Sequence, residues 1–309
     1  MTASVVSPKR GRLRAPKFVL AGPSIIWYVL FFVAPIAFIV YYSFGTKDSS
    51  KLVPVDMSAP GFHNYSEAFS STFFTTFTAT LRVAVTATLL TVVIGFPVAY
   101  FLAFKVQERW RAILLALVIV PSFTSFLIRT VAWRIPLAPN GTLSTWLQDW
   151  GVIGGPISLL ETRTAVQIAI VYNYLGFMIL PLYVALDRIE PVLREASKDL
   201  GAGRVSTFMR VTLPLAGPGI AAGVLLTFIP MCGDYVTATV LGGAKGNMIG
   251  ALIDSEFKGA QNWPLGSAIA VLMILAVLVM LGIGAIIVVG GQWLLRRRRR
   301  VDLSGGVPA

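Results

Sequence analysis

The stretch Asp187–Ile220 reads DRIEPVLREASKDLGAGRVSTFMRVTLPLAGPGI and separates two long apolar segments of the chain. Pro191 suits the first turn of a helix, because the N–H group that proline lacks would be unpaired there. Glu195 and Asp199 are four positions apart and therefore share one helical face. Gly201 is a natural helix terminator, since glycine adopts a positive φ without penalty. The stretch therefore predicts a short helix that ends near Gly201.

The rest of this stretch predicts a second short helix from about Val205 to Thr212, after which Leu213 and Pro214 begin the next apolar segment. Small residues surround the junction and permit close backbone approach to another protein; they are Ala196, Ser197, Gly201, Ala202 and Gly203. From these residues alone two interpretations stay open, a solvated connector or a docking surface for a partner.

The composition of the whole chain places it in a membrane. Of its 309 residues, 56% are hydrophobic and 13% are charged, and the mean hydropathy is +0.76. Soluble domains carry about 25% charged residues, and a chain this apolar is not disordered. Cys232 and His63 are its only cysteine and histidine. This excludes a disulfide scaffold and argues against a zinc site, which needs three or four protein ligands.

Six apolar stretches are long enough to cross about 30 Å of hydrocarbon, which takes about 20 helical residues. We number as spans 1 to 6 the approximate ranges Phe18–Phe44, Ala79–Phe104, Ala112–Ile135, Thr164–Leu186, Leu213–Leu241 and Leu265–Leu295. Their length is unlike the strands of about 10 residues in a membrane barrel. The predicted fold class is an all-α membrane protein with six transmembrane helices at 18–295, between basic tails at 1–17 and 296–309.

Basic residues are distributed unevenly between the loops. The 26 Lys and Arg residues exceed the 14 Asp and Glu residues, which gives a net charge of +12. Most of them lie in the N-terminal tail, in the loops after spans 2 and 4, and in the run Arg296–Arg300. Because basic loop residues stay on the cytoplasmic side, both termini are predicted to be cytoplasmic in an inner-membrane protein. The terminal arginines suit lipid headgroups, so no nucleic-acid partner is expected.

The loop between spans 4 and 5 resembles the signature loop of bacterial ABC importer membrane subunits. The matching groups are Glu195-Ala196-Ser197, Gly201 and Val211-Thr212-Leu213-Pro214, with serine in place of the family's usual third-position alanine. The resemblance implies a type I ABC importer permease fold, with a coupling loop at about 187–215 that docks in a cleft of a separate ATPase. The residues it assigns to ATPase coupling are Glu195, Ala196, Asp199, Gly201, Leu213 and Pro214.

Within that resemblance each assigned group has a distinct role. Glu195 is the expected polar contact with the ATPase, and Gly201 is the expected turn between the two short helices. Leu213 and Pro214 are expected to fix where span 5 begins.

The sequence contains no phosphate-binding loop of the form G-x-x-x-x-G-K-[ST]. The resemblance therefore implies a non-catalytic transport subunit with no cofactor of its own, because a partner dimer of ATPase subunits binds ATP and Mg²⁺. It also implies a second, related but different permease subunit and an extracytoplasmic solute-binding protein. Thr142–Trp150 and Met248–Phe257, in the outside loops, are candidate contacts for that binding protein. A position in the membrane interface is the alternative for Trp146 and Trp150.

Three further segments resemble the spermidine/putrescine (polyamine) branch of these permeases. They are Pro121–Trp133, Gly233–Gly250 and Asn262–Met273. The resemblance implies import of a polyamine, and import of another small solute is the alternative. A different mechanism, an ion-coupled secondary transporter with Asp234 as its coupling acid, also stays open.

Asp234 is the only acidic residue inside a predicted span, where a charge costs about 2.5–3.5 kcal/mol on insertion scales. A carboxylate that faces a cavity attracts an ammonium group, so Asp234 is a candidate for the substrate pathway. Tyr235, Trp133 and Tyr174 are candidates beside it because aromatic faces bind cations. Packing in the core or at the membrane interface is the alternative for each aromatic ring.

Two alternatives also stay open for Asp234. It pairs with Arg129 or Arg134 and holds spans together, or it lies at the solvated outer end of span 5. Pro230 and Pro181 predict breaks in spans 5 and 4 that free carbonyl groups toward a cavity, with plain kinks as the alternative.

Overall fold

The computed structural model describes residues 17–51, 53–69, 71–243 and 246–298. The predicted basic tails lie outside these residues, apart from Lys17 and 296–298, and so does Lys245. The described chain is built almost entirely from helices, with one two-stranded antiparallel ribbon that pairs Thr46 with Asp56. The predicted fold class, an all-α membrane protein, is confirmed.

The elements of the first half are, in order, α1 (Lys17–Tyr28 and Ala34–Tyr42, joined by a π-helical turn at Val29–Val33), β1 (Thr46–Lys47), β2 (Val55–Asp56), α2 (His63–Ala68), α3 (Ser71–Phe104) and α4 (Glu108–Ile119, continued by a 3-10 turn at Val120–Phe123). Those of the second half are α5 (Phe126–Ala132), α6 (Arg134–Leu137), α7 (Thr142–Asp149), α8 (Arg163–Asp187), α9 (Pro191–Asp199), α10 (Arg204–Cys232, with a π-helical turn at Phe208–Thr212), α11 (Tyr235–Thr237, continued by a π-helical turn at Ala238–Gly242), α12 (Ile249–Asp254, continued by a π-helical turn at Ser255–Gly259) and α13 (Trp263–Arg298).

Five of these helices are long and apolar enough to cross a membrane, and they correspond to predicted spans 1, 2, 4, 5 and 6. Span 3 was predicted as one continuous helix, which is wrong. The chain bends by 91° between Glu108–Phe123 and Phe126–Asp149. Pro121 lies in the 3-10 turn before the bend, and Thr124 and Ser125 adopt ψ angles of 157° and 127° outside the helical range. The helix is therefore broken here, because proline removes a ladder donor and Thr124 and Ser125 leave the helical conformation.

Two further predictions about helix limits are wrong. Span 5 was predicted to run to Leu241, but α10 ends at Cys232 and a new short helix follows Asp234. The break that Pro230 predicted in this span is found two residues after the proline. Pro181 was predicted to interrupt span 4, but α8 runs through it without a break. Neighbouring helices can support a helix across a proline inside a membrane bundle, which accounts for the continuity of α8.

The core lies where α3, α8 and α10 pack against one another. Gly219 and Gly223 of α10 face α8, and both are buried. A Cβ atom on Gly219 would lie 2.7 Å from the carbonyl oxygen of Pro181, and one on Gly223 would lie 2.6 Å from Sδ of Met178. Glycines at this spacing let two membrane helices approach closely, and the packing depends on them.

The loops gather at two opposite ends of the bundle. At the end that carries loop 187–215, which we call the coupling end, Arg111 Nη1 lies 2.8 Å from Asp187 Oδ1 and joins the start of α4 to the end of α8. At the other end, which we call the far end, Lys47 Nζ donates a hydrogen bond of 2.7 Å to the carbonyl oxygen of Ala260. The ribbon and the segment before α13 therefore share the far end.

Candidate functional sites

The coupling loop begins with the short helix α9, whose ends the sequence predicted. Pro191 lies at its first turn, and Gly201 follows its end with φ +82°. The Gly201 N–H donates to the Lys198 carbonyl at 2.8 Å, and the Ala202 N–H donates to the Ser197 carbonyl at 3.1 Å. These two bonds form a Schellman motif, which needs a left-handed residue at the glycine position. The helix terminator predicted at Gly201 is confirmed.

The face of the coupling loop that points away from the bundle is apolar as well as charged. Leu200 is 89% exposed, and Glu195, Ala196 and Asp199 are exposed beside it. The other exposed apolar side chains are Val192, Leu193, Val205 and Met209. Several large apolar side chains exposed together in a loop and at the start of the next helix are typical of a protein interaction site.

Arg194 attaches α9 to the membrane part of the chain. Its guanidinium carbon lies 4.0 Å from the ring centroid of Phe104, and Nη2 donates to the hydroxyl of Tyr100 at 3.2 Å. Ser197 and Thr207 share a hydrogen bond of 3.1 Å that joins α9 to α10. The coupling loop is therefore connected to both α3 and α10.

The second helix of the loop is not separate from span 5. It begins at Arg204 and continues through the π-helical turn into the rest of α10, so Leu213 and Pro214 lie inside a continuous helix. The Leu213 N–H donates to the Phe208 carbonyl, one residue further back than in an α-helix. Since Pro214 has no N–H to donate, this shifted register lets the chain pass the proline without breaking. The predicted start of span 5 at Leu213 is therefore wrong.

Asp234 lies at the far end, just beyond α10. It is 5% exposed, and its two carboxylate oxygens accept hydrogen bonds from the Thr237 N–H at 2.9 Å and the Thr237 hydroxyl at 2.6 Å. The residue therefore caps α11, as aspartate commonly does at a helix start. The prediction that it lies within a span is wrong, because Gly233 has already ended α10.

Of the two alternatives for Asp234, the pairing fails, whereas the position at the end of span 5 is found without the expected solvation. In the part of the chain that the structure describes, no lysine or arginine forms an ion pair with it, so the pairing with Arg129 or Arg134 is absent. Its burial also excludes a solvated position. A substrate role for its charge stays a prediction.

The three candidate aromatic residues have different surroundings. Tyr174 is buried, with ring centroids of Phe126 and Phe177 at 5.9 and 6.3 Å. Trp133 meets the ring of Tyr172 edge-on at 5.5 Å. Tyr235 is 41% exposed and lines a cavity at the far end. The segments α5, α8 and α11 that position these rings contact one another.

Sequence reasoning did not single out the polar contact between α5 and α8. Asn173 is fully buried and donates from Nδ2 to Thr130 Oγ1 at 3.0 Å, while its Oδ1 has no partner. Arg129, Ser122 and Gly176 line an adjoining cavity of about 200 Å³. The asparagine inside the apolar run of α8 could have indicated this contact, because a buried polar side chain is expected to have a hydrogen-bond partner.

Comparison with known proteins decides the family. Residues 91–300 match the model for binding-protein-dependent transport system inner membrane components, which covers both the coupling loop and Asp234. The chain belongs to this family. It is a multi-pass inner-membrane permease subunit of an ABC importer.

Two relatives of this permease are both described as spermidine/putrescine transport system permease proteins. The spermidine/putrescine transport system permease protein PotB of Haemophilus influenzae is 38% identical over 245 residues, which is 79% of this chain and 84% of the relative. PotB of Escherichia coli K12 is 37% identical over 255 residues, which is 82% of this chain and 91% of the relative.

The fold of this permease is that of a known importer. A bacterial alginate ABC transporter, solved in complex with a periplasmic protein bound to alginate pentasaccharide, contains a chain that superposes with a TM-score of 0.66. That chain is 20% identical, and the match covers 86% of the permease and 91% of the solved chain. The likeness supports the type I importer permease fold.

Proposed function

We propose that this permease couples ATP hydrolysis by a cytoplasmic ATPase dimer to the import of a polyamine, spermidine or putrescine. The permease itself is non-catalytic and holds no cofactor, because ATP and Mg²⁺ are bound by the ATPase. The two PotB relatives support the substrate class, since their names give spermidine and putrescine as the solutes carried.

The exposed apolar face of the coupling loop carries the coupling part of the proposal. Leu200 and Val205 project from the two helices of the loop, and Gly201 forms the turn between them. Glu195 and Asp199 lie exposed on α9 and offer carboxylates to a basic partner surface. Burial of the apolar side chains in an ATPase cleft would remove their exposure to water, which favours docking.

The connections of the loop indicate how a movement of the ATPase reaches the membrane. Displacement of α9 acts on α3 through Arg194, which is held between Tyr100 and Phe104. It acts on α10 through the turn after Gly201. Since α10 is continuous to Cys232, a shift at Leu213 and Pro214 moves the far end of that helix as a rigid body.

The substrate pathway is proposed to run past Asp234, Tyr235, Trp133 and Tyr174, between this chain and a second permease subunit. The buried carboxylate of Asp234 supplies negative charge, and the three rings supply faces for ammonium groups. An extracytoplasmic solute-binding protein delivers the polyamine at the far end. Both termini and the coupling end then face the cytoplasm, as the distribution of basic residues indicates.

The test is uptake of labelled spermidine and putrescine into proteoliposomes that contain the permease, its ATPase, its second permease and its binding protein. We expect uptake that requires ATP. Asp234→Asn is expected to lower it at least threefold, because asparagine caps a helix as well as aspartate does but carries no charge. The amount of assembled complex should not change.

Each other outcome removes a defined part of the proposal. ATP-dependent uptake that is equal in Asp234→Asn would exclude a substrate role for the carboxylate. Uptake that needs no ATPase and stops when an ion gradient is collapsed would favour the ion-coupled carrier. ATPase activity without polyamine uptake would exclude polyamines as the solute.

A further inference from the structure

The far end holds a cavity of about 270 Å³ between the start of α11 and the helix α12. Its lining includes Gly233, Tyr235, Gly250, Asp254 and Phe257. The backbones approach closely there, since a Cβ atom on Gly250 would lie 2.8 Å from the Gly233 carbonyl oxygen. Most of the wall is apolar, and Asp254 is the one charged residue among its lining residues.

An ammonium group of this chain, that of Lys258, lies against two residues of the cavity lining, Asp254 and Tyr235. Lys258 Nζ lies 2.5 Å from Asp254 Oδ1 and 5.2 Å from the ring centroid of Tyr235. A carboxylate beside an aromatic face is the arrangement that binds an alkylammonium ion. The hydrogen bond with Asp254 raises the pKa of Lys258 above its ordinary value, so its ammonium stays charged.

Lys258 is held in a way that permits exchange. Its side chain is 69% exposed and that of Asp254 is 28% exposed, and exposed ion pairs contribute little to stability. By contrast, Phe257 is held in place by the ring of Trp263 at 5.8 Å and by the backbone at Gly266. Phe257 is therefore packed against its neighbours, whereas the Lys258 ammonium is carried on a flexible four-carbon stem.

We propose that Asp254 and Tyr235 form an ammonium-binding subsite at the far end, in which Lys258 is a tethered occupant that a substrate ammonium displaces. The apolar wall beside it suits the methylene chain that separates two ammonium groups of a polyamine. This inference rests on the proposed function and adds to it the first subsite that the solute meets on this chain.

The test compares Lys258→Gln with Lys47→Gln in the assembled importer, with spermidine uptake as the readout. Lys47 is a matched control, because it is exposed at the same end, donates to Ala260 and loses the same charge. We expect Lys258→Gln to lower KM for spermidine at least threefold. A site that no longer has a competing occupant shows its full affinity. Lys47→Gln is expected to leave KM unchanged.

A second pair of variants tests the walls of the subsite. Tyr235→Leu and Asp254→Asn are expected to raise KM at least threefold, because each removes one of the two groups that would hold the substrate ammonium. Equal KM values in Lys258→Gln and Lys47→Gln would overturn the subsite, and so would a raised KM in Lys258→Gln. Absence of polyamine uptake by the wild-type importer would instead overturn the proposed function, which keeps the two failures distinct.

Discussion

At the scale of single residues, Arg194 shows how an exposed helix can act on a buried one. Its guanidinium lies over Phe104 while its helix faces away from the bundle. Cation–π contacts contribute about 0.5–1 kcal/mol at exposed sites and about 2 kcal/mol when desolvated. That energy is small for folding, but the contact is a direct link between α9 and α3.

We expect Arg194→Gln to uncouple transport from hydrolysis. The variant should assemble normally, yet it should hydrolyse at least three times more ATP for each spermidine transported, because α9 no longer moves α3. Lys198→Gln is the control, since Lys198 is exposed on the same helix and loses the same charge. The measurement is the ratio of phosphate released to spermidine accumulated, and an equal ratio in both variants would contradict the coupling role of Arg194.

Gly201 and Asp234 show what single residues reveal before a structure is known. Gly201 could be predicted as a helix terminator because only glycine adopts φ +82° at low cost. Asp234 was placed inside a span because hydropathy continues past it to Leu241. The helix instead ends before Asp234, whose carboxylate accepts from the Thr237 N–H and hydroxyl as the cap of α11.

At the scale of elements, the contact between α8 and α10 depends on glycine. We expect Gly219→Ala to destabilise the permease by about 1–3 kcal/mol, the usual penalty for overpacking, because the new Cβ would meet the backbone at Pro181. Gly217→Ala is the control on the same helix, where a Cβ meets nothing within 4 Å. Thermal unfolding in detergent measures both, and equal midpoints would show that α10 moves away from α8 at no cost.

The elements also differ in how far sequence could predict them. The five continuous membrane helices follow from hydropathy, because length and apolar character are what a bilayer requires. The break in span 3 left no such signal, since Pro121 and Ser125 lie in an apolar run that hydropathy reads as uninterrupted. The continuity of the loop's second helix with the rest of α10 could not be predicted either, because here the sequence carries a helix-start signal where the helix does not start. Pro214 indicates a helix start, but a π-helical turn carried the helix past it.

At the scale of the whole molecule, the ion pair of Arg111 with Asp187 and the bond from Lys47 to Ala260 place alternate loops at opposite ends. This agrees with a chain that crosses the membrane after each loop. Which end of the bundle faces the cytoplasm is indicated only by the distribution of basic residues, so the orientation in the membrane is a prediction of its own.

Thiol labelling in whole cells tests that orientation. Cys232 is buried, so the wild-type chain should not react with a membrane-impermeant maleimide. We expect Ser49→Cys, exposed beside the ribbon at the far end, to be labelled in intact cells. Glu190→Cys, exposed just before α9, should be labelled only after the membrane is permeabilised. The reverse pattern would place the coupling loop outside the cell, where no ATPase could reach Glu195 or Leu200, and the proposed mechanism would fail with it.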